Sequence, residues 1–200
     1  ESVSQSIDFS VQERIVTRRW DPIAQTFFID RDKFKDGVFL SDVDLFFAEK
    51  PDSNIDVQVY IVPTELGIPT QNIIPGSKVN KPQEDVIVSG REPSSNSAIQ
   101  ATKFKVEYPI HLKSGVEYAL VVFSNSTEYR VWTSVLGQID IRTQNTITTN
   151  SSIGVLLKSQ NTRTWTPDQT RDLTFKLNRC VFASSKTFTF NTKISDTNLQ

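Results

Sequence analysis

Two arginines stand beside a tryptophan in RRWDPIAQTF, at residues 18–27. Arg18, Arg19 and Trp20 combine cations with an aromatic ring, a combination that can bind sugars or nucleic acids. The Asp-Pro pair that follows offers another interpretation, because proline fixes its own backbone and keeps the preceding residue extended. We predict that the segment opens a folded domain, with 23–30 as the first core strand. The three side chains remain candidate contact residues.

Catalysis has one candidate base, His111, which is the sole histidine and lies in YPIHLKSG. Acid-base and nucleophilic chemistry need a positioned partner, and no nucleophile motif such as G-x-S-x-G is present. Its neighbours Ile110 and Leu112 indicate the edge of a strand. We therefore predict no catalytic residue and interpret His111 as a partly exposed polar side chain.

Metal and cofactor binding have weak candidates. A partial calcium-loop pattern is formed by Asp30, Asp32, Asp36, Gly37, Asp42 and Asp44. It lacks the acidic residue at the fifth position and the glutamate at the twelfth, where Ser41 stands, and basic residues alternate with the carboxylates. Cys180 is the only cysteine, and none of the seven glycines belongs to a phosphate-binding motif. We predict a solvated loop, no metal site and no cofactor.

Bulk composition excludes several classes of protein. A content of 37% hydrophobic and 22% charged residues is typical of a globular chain. The formal net charge of −1 argues against general nucleic-acid binding. Apolar runs such as ALVVF fall far short of the about 20 residues that a membrane helix needs, so we predict no membrane partner. Methionine is absent, even at position 1, which predicts an internal part of a longer protein.

The three tryptophans carry an alternative function, carbohydrate binding, because their rings can stack on sugars. We interpret Trp20 and Trp132 as packing residues. Trp165 lies in the polar stretch SQNTRTWTPDQTRD, which predicts an exposed aromatic or an interface anchor.

Charge is distributed unevenly along the chain. Residues 158–179 contain five basic and two acidic side chains, whereas 30–56 contain four basic and eight acidic ones. Such asymmetry can orient subunits during assembly. We therefore hypothesise that 159–171, with Arg163, Trp165 and Arg171, contacts another chain. The alternative is a loop packed on its own domain.

Hydrophobic alternation with a period of two dominates the chain, as in 55–61 and 102–108. Segments 38–48, 116–123 and 129–136 are rich in β-branched and aromatic residues and are bounded by glycines. No stretch has helical spacing, so we expect fewer than about a tenth of the residues in helices.

These strands predict an all-β fold, an antiparallel β-sandwich of jelly-roll type, in which the long connection 63–100 crosses between sheets. We place the domain at 19–183, a connector or exchanged strand at 1–18 and a polar connector at 184–200. A change of hydrophobic phase predicts a β-bulge around Asn178-Arg179. The predicted core comprises Phe27, Val43, Leu45, Phe47, Val57, Val59, Ile61, Phe104, Val106, Leu120, Val122, Phe175 and Leu177.

Several stretches, taken in order, carry a family resemblance. WDPIAQTFFID, GVFLSDVDLFFAEK with IDVQVYIV, and SGVEYALVVFSNSTEYRVWTSVLG resemble a module of baseplate wedge and related tail structural proteins of T-even-type contractile-tailed bacteriophages. GVLLKSQNTRTWTPDQTRDLTFKLNRCVF resembles the closing segment of that module. The resemblance covers about residues 19–183.

The resemblance implies a structural role without catalysis or cofactor. It implies contacts with other baseplate or tail subunits, a place in the virion at the tail baseplate, and assembly in the host cytoplasm. A module that binds a host surface glycan is the alternative.

Overall fold

The computed structural model describes residues 21–89, 100–138 and 154–182, together with the Val3–Ser4 backbone and residue 146. These residues form strands and one 3-10 turn, Gln83–Asp85, so the expected low helix content is confirmed for the described part of the chain. No helix within these ranges is long and apolar enough to cross a membrane. In chain order the strands are β1 (Val3–Ser4), β2 (Ile23–Phe28), β3 (Val38–Leu45), β4 (Phe47–Glu49), β5 (Val57–Glu65), β6 (Ile68–Pro69), β7 (Val79–Lys81), β8 (Thr102–Leu112), β9 (Glu117–Ser124), β10 (Arg130–Val131), β11 (Thr133–Val135), β12 (Leu156–Ser159), β13 (Trp165–Asp168), β14 (Arg171–Leu173) and β15 (Phe175–Arg179).

Two antiparallel sheets make up most of the fold. The four-stranded sheet has the order β1-β15-β3-β8. The seven-stranded sheet has the order β13-β12-β2-β9-β5-β6, and β7 also pairs with β5. The predicted first core strand is confirmed, because Ile23–Phe28 is central in the larger sheet and pairs with both β9 and β12.

The main core lies between the sheets. Phe27 of the larger sheet contacts Phe175 of the smaller one, with ring centroids 6.3 Å apart. Every predicted core residue is buried except Leu177, which is half-buried and packs against the cluster. The all-β antiparallel sandwich is therefore confirmed. Its jelly-roll topology and the 19–183 domain boundaries stay predictions, although the connection from β5 to β8 does join the two sheets.

Two small sheets extend this sandwich. Strand β10 pairs with β4 and β11 pairs with β14. Trp132, between β10 and β11, is buried against Phe46, as its interpretation as a packing residue expected. Its backbone N–H donates to the carbonyl of Phe46 at 2.9 Å, and its own carbonyl accepts from Thr174 N at 3.0 Å. Trp132 thereby links its own segment, between β10 and β11, to Phe46 and to Thr174.

Irregular pairing occurs at two places in the four-stranded sheet. The register shifts between Asn178 and Arg179, which confirms the predicted bulge. A larger irregularity lies in β8, where Leu40 pairs with Ile110 but Asp42 pairs with Lys105. Residues 106–109 thus stand opposite a single residue of β3, and this part of β8 projects out of the ladder.

Candidate functional site

The predicted contact loop is the tip of the β12–β13 hairpin. Asn161 closes it, because its Oδ1 accepts hydrogen bonds from the backbone N–H groups of Arg163 at 2.9 Å and Thr164 at 2.7 Å. The side chain of Arg163 is exposed there. Of the other candidates, Arg18, Arg19 and Trp20 lie outside the described residues.

The expectation that Trp165 is exposed is wrong. Its side chain is only 9% exposed and belongs to a buried cluster with Ala24, Val121 and Leu157 on the outer face of the seven-stranded sheet. The polar residues on either side of it misled the prediction, because successive side chains of a strand point to opposite faces. A contact between 159–171 and another chain stays a prediction, and of its named candidates Arg163, Trp165 and Arg171 only Arg163 is exposed.

Arg171 takes part in an ion-pair group within the chain. Its Nε lies 3.7 Å from Oδ2 of Asp168, and Lys158 Nζ lies 2.7 Å from the same oxygen. Burial alone would raise the pKa of Asp168, but hydrogen bonds from Lys158 and Thr170 outweigh it and the pKa is lowered. Two of the five basic side chains of 158–179, Lys158 and Arg171, are therefore paired with a carboxylate of the same segment.

The carboxylates of the partial calcium loop are used in other ways. Asp30 Oδ1 accepts from the backbone N–H of Asp32 at 2.8 Å, which forms a local turn. Lys103 Nζ lies 2.6 Å from Asp42 Oδ1 and 3.0 Å from Asp44 Oδ1. Burial would raise the pKa of Asp42, but its hydrogen bonds, led by that from Lys103, lower it. Among the described residues, no group of three or more His, Cys, Asp or Glu side chains is placed to hold a metal ion.

His111 is held at the outer face of the four-stranded sheet. Its Nε2 lies 2.8 Å from the carbonyl oxygen of Asp36, which can only accept, so Nε2 carries the proton. Gly37 lets the backbone that follows Asp36 lie close to β8. It has φ +79°, and a Cβ at this position would lie 2.3 Å from the carbonyl oxygen of Leu112. The ring also lies on Phe39, with centroids 4.8 Å apart. His111 is thus an exposed polar residue of the strand, as expected, and the absence of a catalytic role stays a prediction.

An exposed aromatic cluster, formed by Phe39 and Phe182, lies beside His111, and the exposed Val181 precedes Phe182 in the chain. Phe39 is 40% exposed, Val181 68% and Phe182 65%. The rings of Phe39 and Phe182 meet edge to face, with centroids 5.2 Å apart. The backbone beneath them is fixed, because Cys180 N donates to the carbonyl of Phe39 at 2.7 Å. Sequence reasoning did not identify this cluster, although Phe39 is out of phase with the buried Val38 and Leu40.

A groove lies between the bulge of β8 and the segment that leads into β7. Its volume is about 670 Å³. It is lined by Ile74, Pro75, Gly76, Lys78, Val79, Asn80, Lys105, Glu107, Tyr108, Pro109, Ile110 and His111. Tyr108 is 73% exposed at its rim. Sequence reasoning missed the groove too, although a proline within a strand, here Pro109, is a sign of a bulge or an edge.

These two features, the aromatic cluster and the groove, lie at the same end of the four-stranded sheet, because His111 contacts Phe39 and also lines the groove. Neither brings together a nucleophile, a base and an orienting group in the described residues. Both offer what binding needs, namely exposed aromatic surface on a rigid strand framework. Comparison with protein-family models, curated proteins and solved structures gives no match to this chain.

Proposed function

We propose that this chain is a non-catalytic structural module of a phage baseplate or tail, and that it joins neighbouring subunits in the virion through the exposed aromatic cluster. The resemblance of residues 19–183 to modules of such proteins supports the biological setting. The observation that carries the contact is the exposure of Phe39 and Phe182, whose rings touch each other.

Exposed aromatic rings in contact with one another are suited to protein binding. A partner that covers both rings removes a continuous apolar surface from water. This burial contributes about 25 cal/mol for each Å² of apolar area. The edge-to-face contact of Phe39 with Phe182 holds both rings in place before binding, which lowers the entropy lost on association.

Polar groups lie farther along the same strands. Asp42, Asp44 and Lys103 form their ion pairs at the other side of the β8 bulge. Asn178 donates to both carboxylates. An apolar centre beside satisfied polar groups is the usual composition of a subunit interface, in which the polar rim sets the orientation of the partner.

The test is assembly with the structural proteins encoded beside this chain. The chain and two variants, Phe39→Ser and Phe182→Ser, are each co-expressed with those proteins, and complexes are separated by sedimentation. We expect the native chain to co-sediment and each variant to bind at least about tenfold more weakly, as for an aromatic anchor. Leu66→Ser is the matched control, because Leu66 is fully exposed on the β5–β6 turn, away from the cluster.

Two results would contradict the proposal. One is a native chain that binds none of the neighbouring structural proteins. The other is assembly that the phenylalanine variants and the Leu66 control support equally well, which would place the contact elsewhere. Circular dichroism of each variant checks that the sandwich is still folded.

A further inference from the structure

The groove has one wall that is fixed before any ligand arrives. Ser77 anchors it, because its hydroxyl accepts from Ile61 N at 3.1 Å and donates to the carbonyl of Ile74 at 2.7 Å. Ile74 N donates in turn to the carbonyl of Ile61 at 2.9 Å. Thr70 makes a further link, from its N–H to the carbonyl of Pro63 at 3.0 Å. The segment before β7 is therefore fastened along β5.

The opposite wall is the projecting part of β8. Glu107, Tyr108 and Pro109 are exposed in succession, which breaks the alternation of buried and exposed residues in the rest of the strand. Val106 and Ile110 on either side are buried in the main core and hold both ends of the bulge. Bulges of this kind redirect side chains and are frequent next to binding sites.

The lining chemistry suits an acidic saccharide. Lys78 and Lys105 supply cations for a carboxylate or a phosphate group, while Asn80, Glu107 and His111 add hydrogen-bonding groups. Tyr108 presents a largely uncovered ring on which the apolar face of a sugar can lie. The lining sets two lysines against one glutamate, so its charge favours an anion by a single unit.

We propose that this groove binds an acidic polysaccharide, with a sugar ring on Tyr108 and its acidic group at Lys78 and Lys105. This site differs from the tryptophans on which the sequence-based carbohydrate alternative rested. The residues that carry it, Tyr108, Lys78 and Lys105, do not belong to the aromatic cluster, although His111 lines the groove and also contacts Phe39. Each proposal can fail without the other.

Calorimetric titration with a short oligogalacturonate tests the site, with a neutral malto-oligosaccharide of equal length as the comparison. We expect saturable binding of the acidic oligomer, about tenfold weaker binding of the neutral one, and affinity that falls as salt is added. Tyr108→Ala should weaken binding at least about tenfold. Lys105→Gln should weaken it roughly threefold, as for an exposed charge.

Arg163→Ala is the matched charge control, because Arg163 is exposed on the β12–β13 hairpin and does not line the groove. It should leave the affinity unchanged. The proposal is overturned if the acidic oligomer does not bind, or if Tyr108→Ala binds it as well as the native chain. A polyglutamate peptide that binds as tightly, with the same dependence on Tyr108, would show a general anion site and refute the saccharide assignment.

Discussion

The buried amide of Gln25 links two distant parts of the chain, and its replacement by leucine measures how much this link stabilises the fold. Gln25 is fully buried in β2. Its Nε2 donates to Asp172 Oδ1 at 3.0 Å, and its Oε1 accepts from Leu173 N at 2.8 Å. One side chain therefore satisfies a carboxylate and a backbone N–H of β14.

Leucine preserves most of the volume but removes both hydrogen bonds. A buried group left without a partner costs about 1–3 kcal/mol, so the two groups together cost about 2–6 kcal/mol. The added apolar surface returns about 1 kcal/mol. We expect Gln25→Leu to lower the free energy of unfolding by about 1–5 kcal/mol at neutral pH, a large fraction of the about 5–15 kcal/mol of a typical domain.

Urea unfolding followed by tryptophan fluorescence provides the assay, since Trp132 and Trp165 are buried. Gln83→Leu is the matched control, because Gln83 is half-buried and its amide donates only to the carbonyl of Pro51. That change should cost at most about 1 kcal/mol. If Gln25→Leu costs no more than the control, the buried link contributes little and the reasoning fails.

Three further changes test other contacts. Trp165→Ala should destabilise the fold by about 3–5 kcal/mol in thermal unfolding, whereas Arg163→Ala should change it by less than about 0.5 kcal/mol; equal effects would contradict the burial of Trp165. Gly154→Ala places a Cβ 1.9 Å from a backbone carbonyl oxygen of β2. In urea unfolding it should destabilise the fold more than Gly67→Ala does. At Gly67 the added Cβ has nothing within 4 Å, so the cost there is about 1–2 kcal/mol of backbone strain. Burial raises the pKa of Asp172, so the protonated carboxyl favours the folded state. The stability that it contributes is fully present below about pH 4 and is lost as the pH rises through the raised pKa. Asp172→Asn should flatten the stability profile above about pH 4, and an unchanged slope in urea titrations would count against it.

The sequence by itself determined the kind of fold and much of its core. Alternation at 55–61 and 102–108 places one row of side chains inward in any strand with one buried face, so Val57, Val59 and Phe104 were predictable as core residues. The change of phase at Asn178-Arg179 was readable for the same reason, since an extra residue in a strand reverses the faces that follow it.

The tertiary structure decided which of the two faces is covered at each place. Periodicity places Phe39 and Leu40 on opposite faces of their strand. It does not say whether the face that carries Phe39 meets solvent or other residues. Phe39 is exposed on the outer face of one sheet, whereas Trp165 is buried on the outer face of the other. Polar neighbours along the chain therefore gave a wrong expectation for Trp165.

Both candidate binding features depend on contacts between residues that are far apart in sequence. The groove forms because Ser77 fastens one wall to β5 while the β8 bulge supplies the other. Gln25 is buried because its partner Asp172, 147 residues away, replaces the hydrogen bonds of water. Local patterns report how often a chain turns and alternates, whereas burial of a polar group and the shape of a groove depend on which distant segments meet.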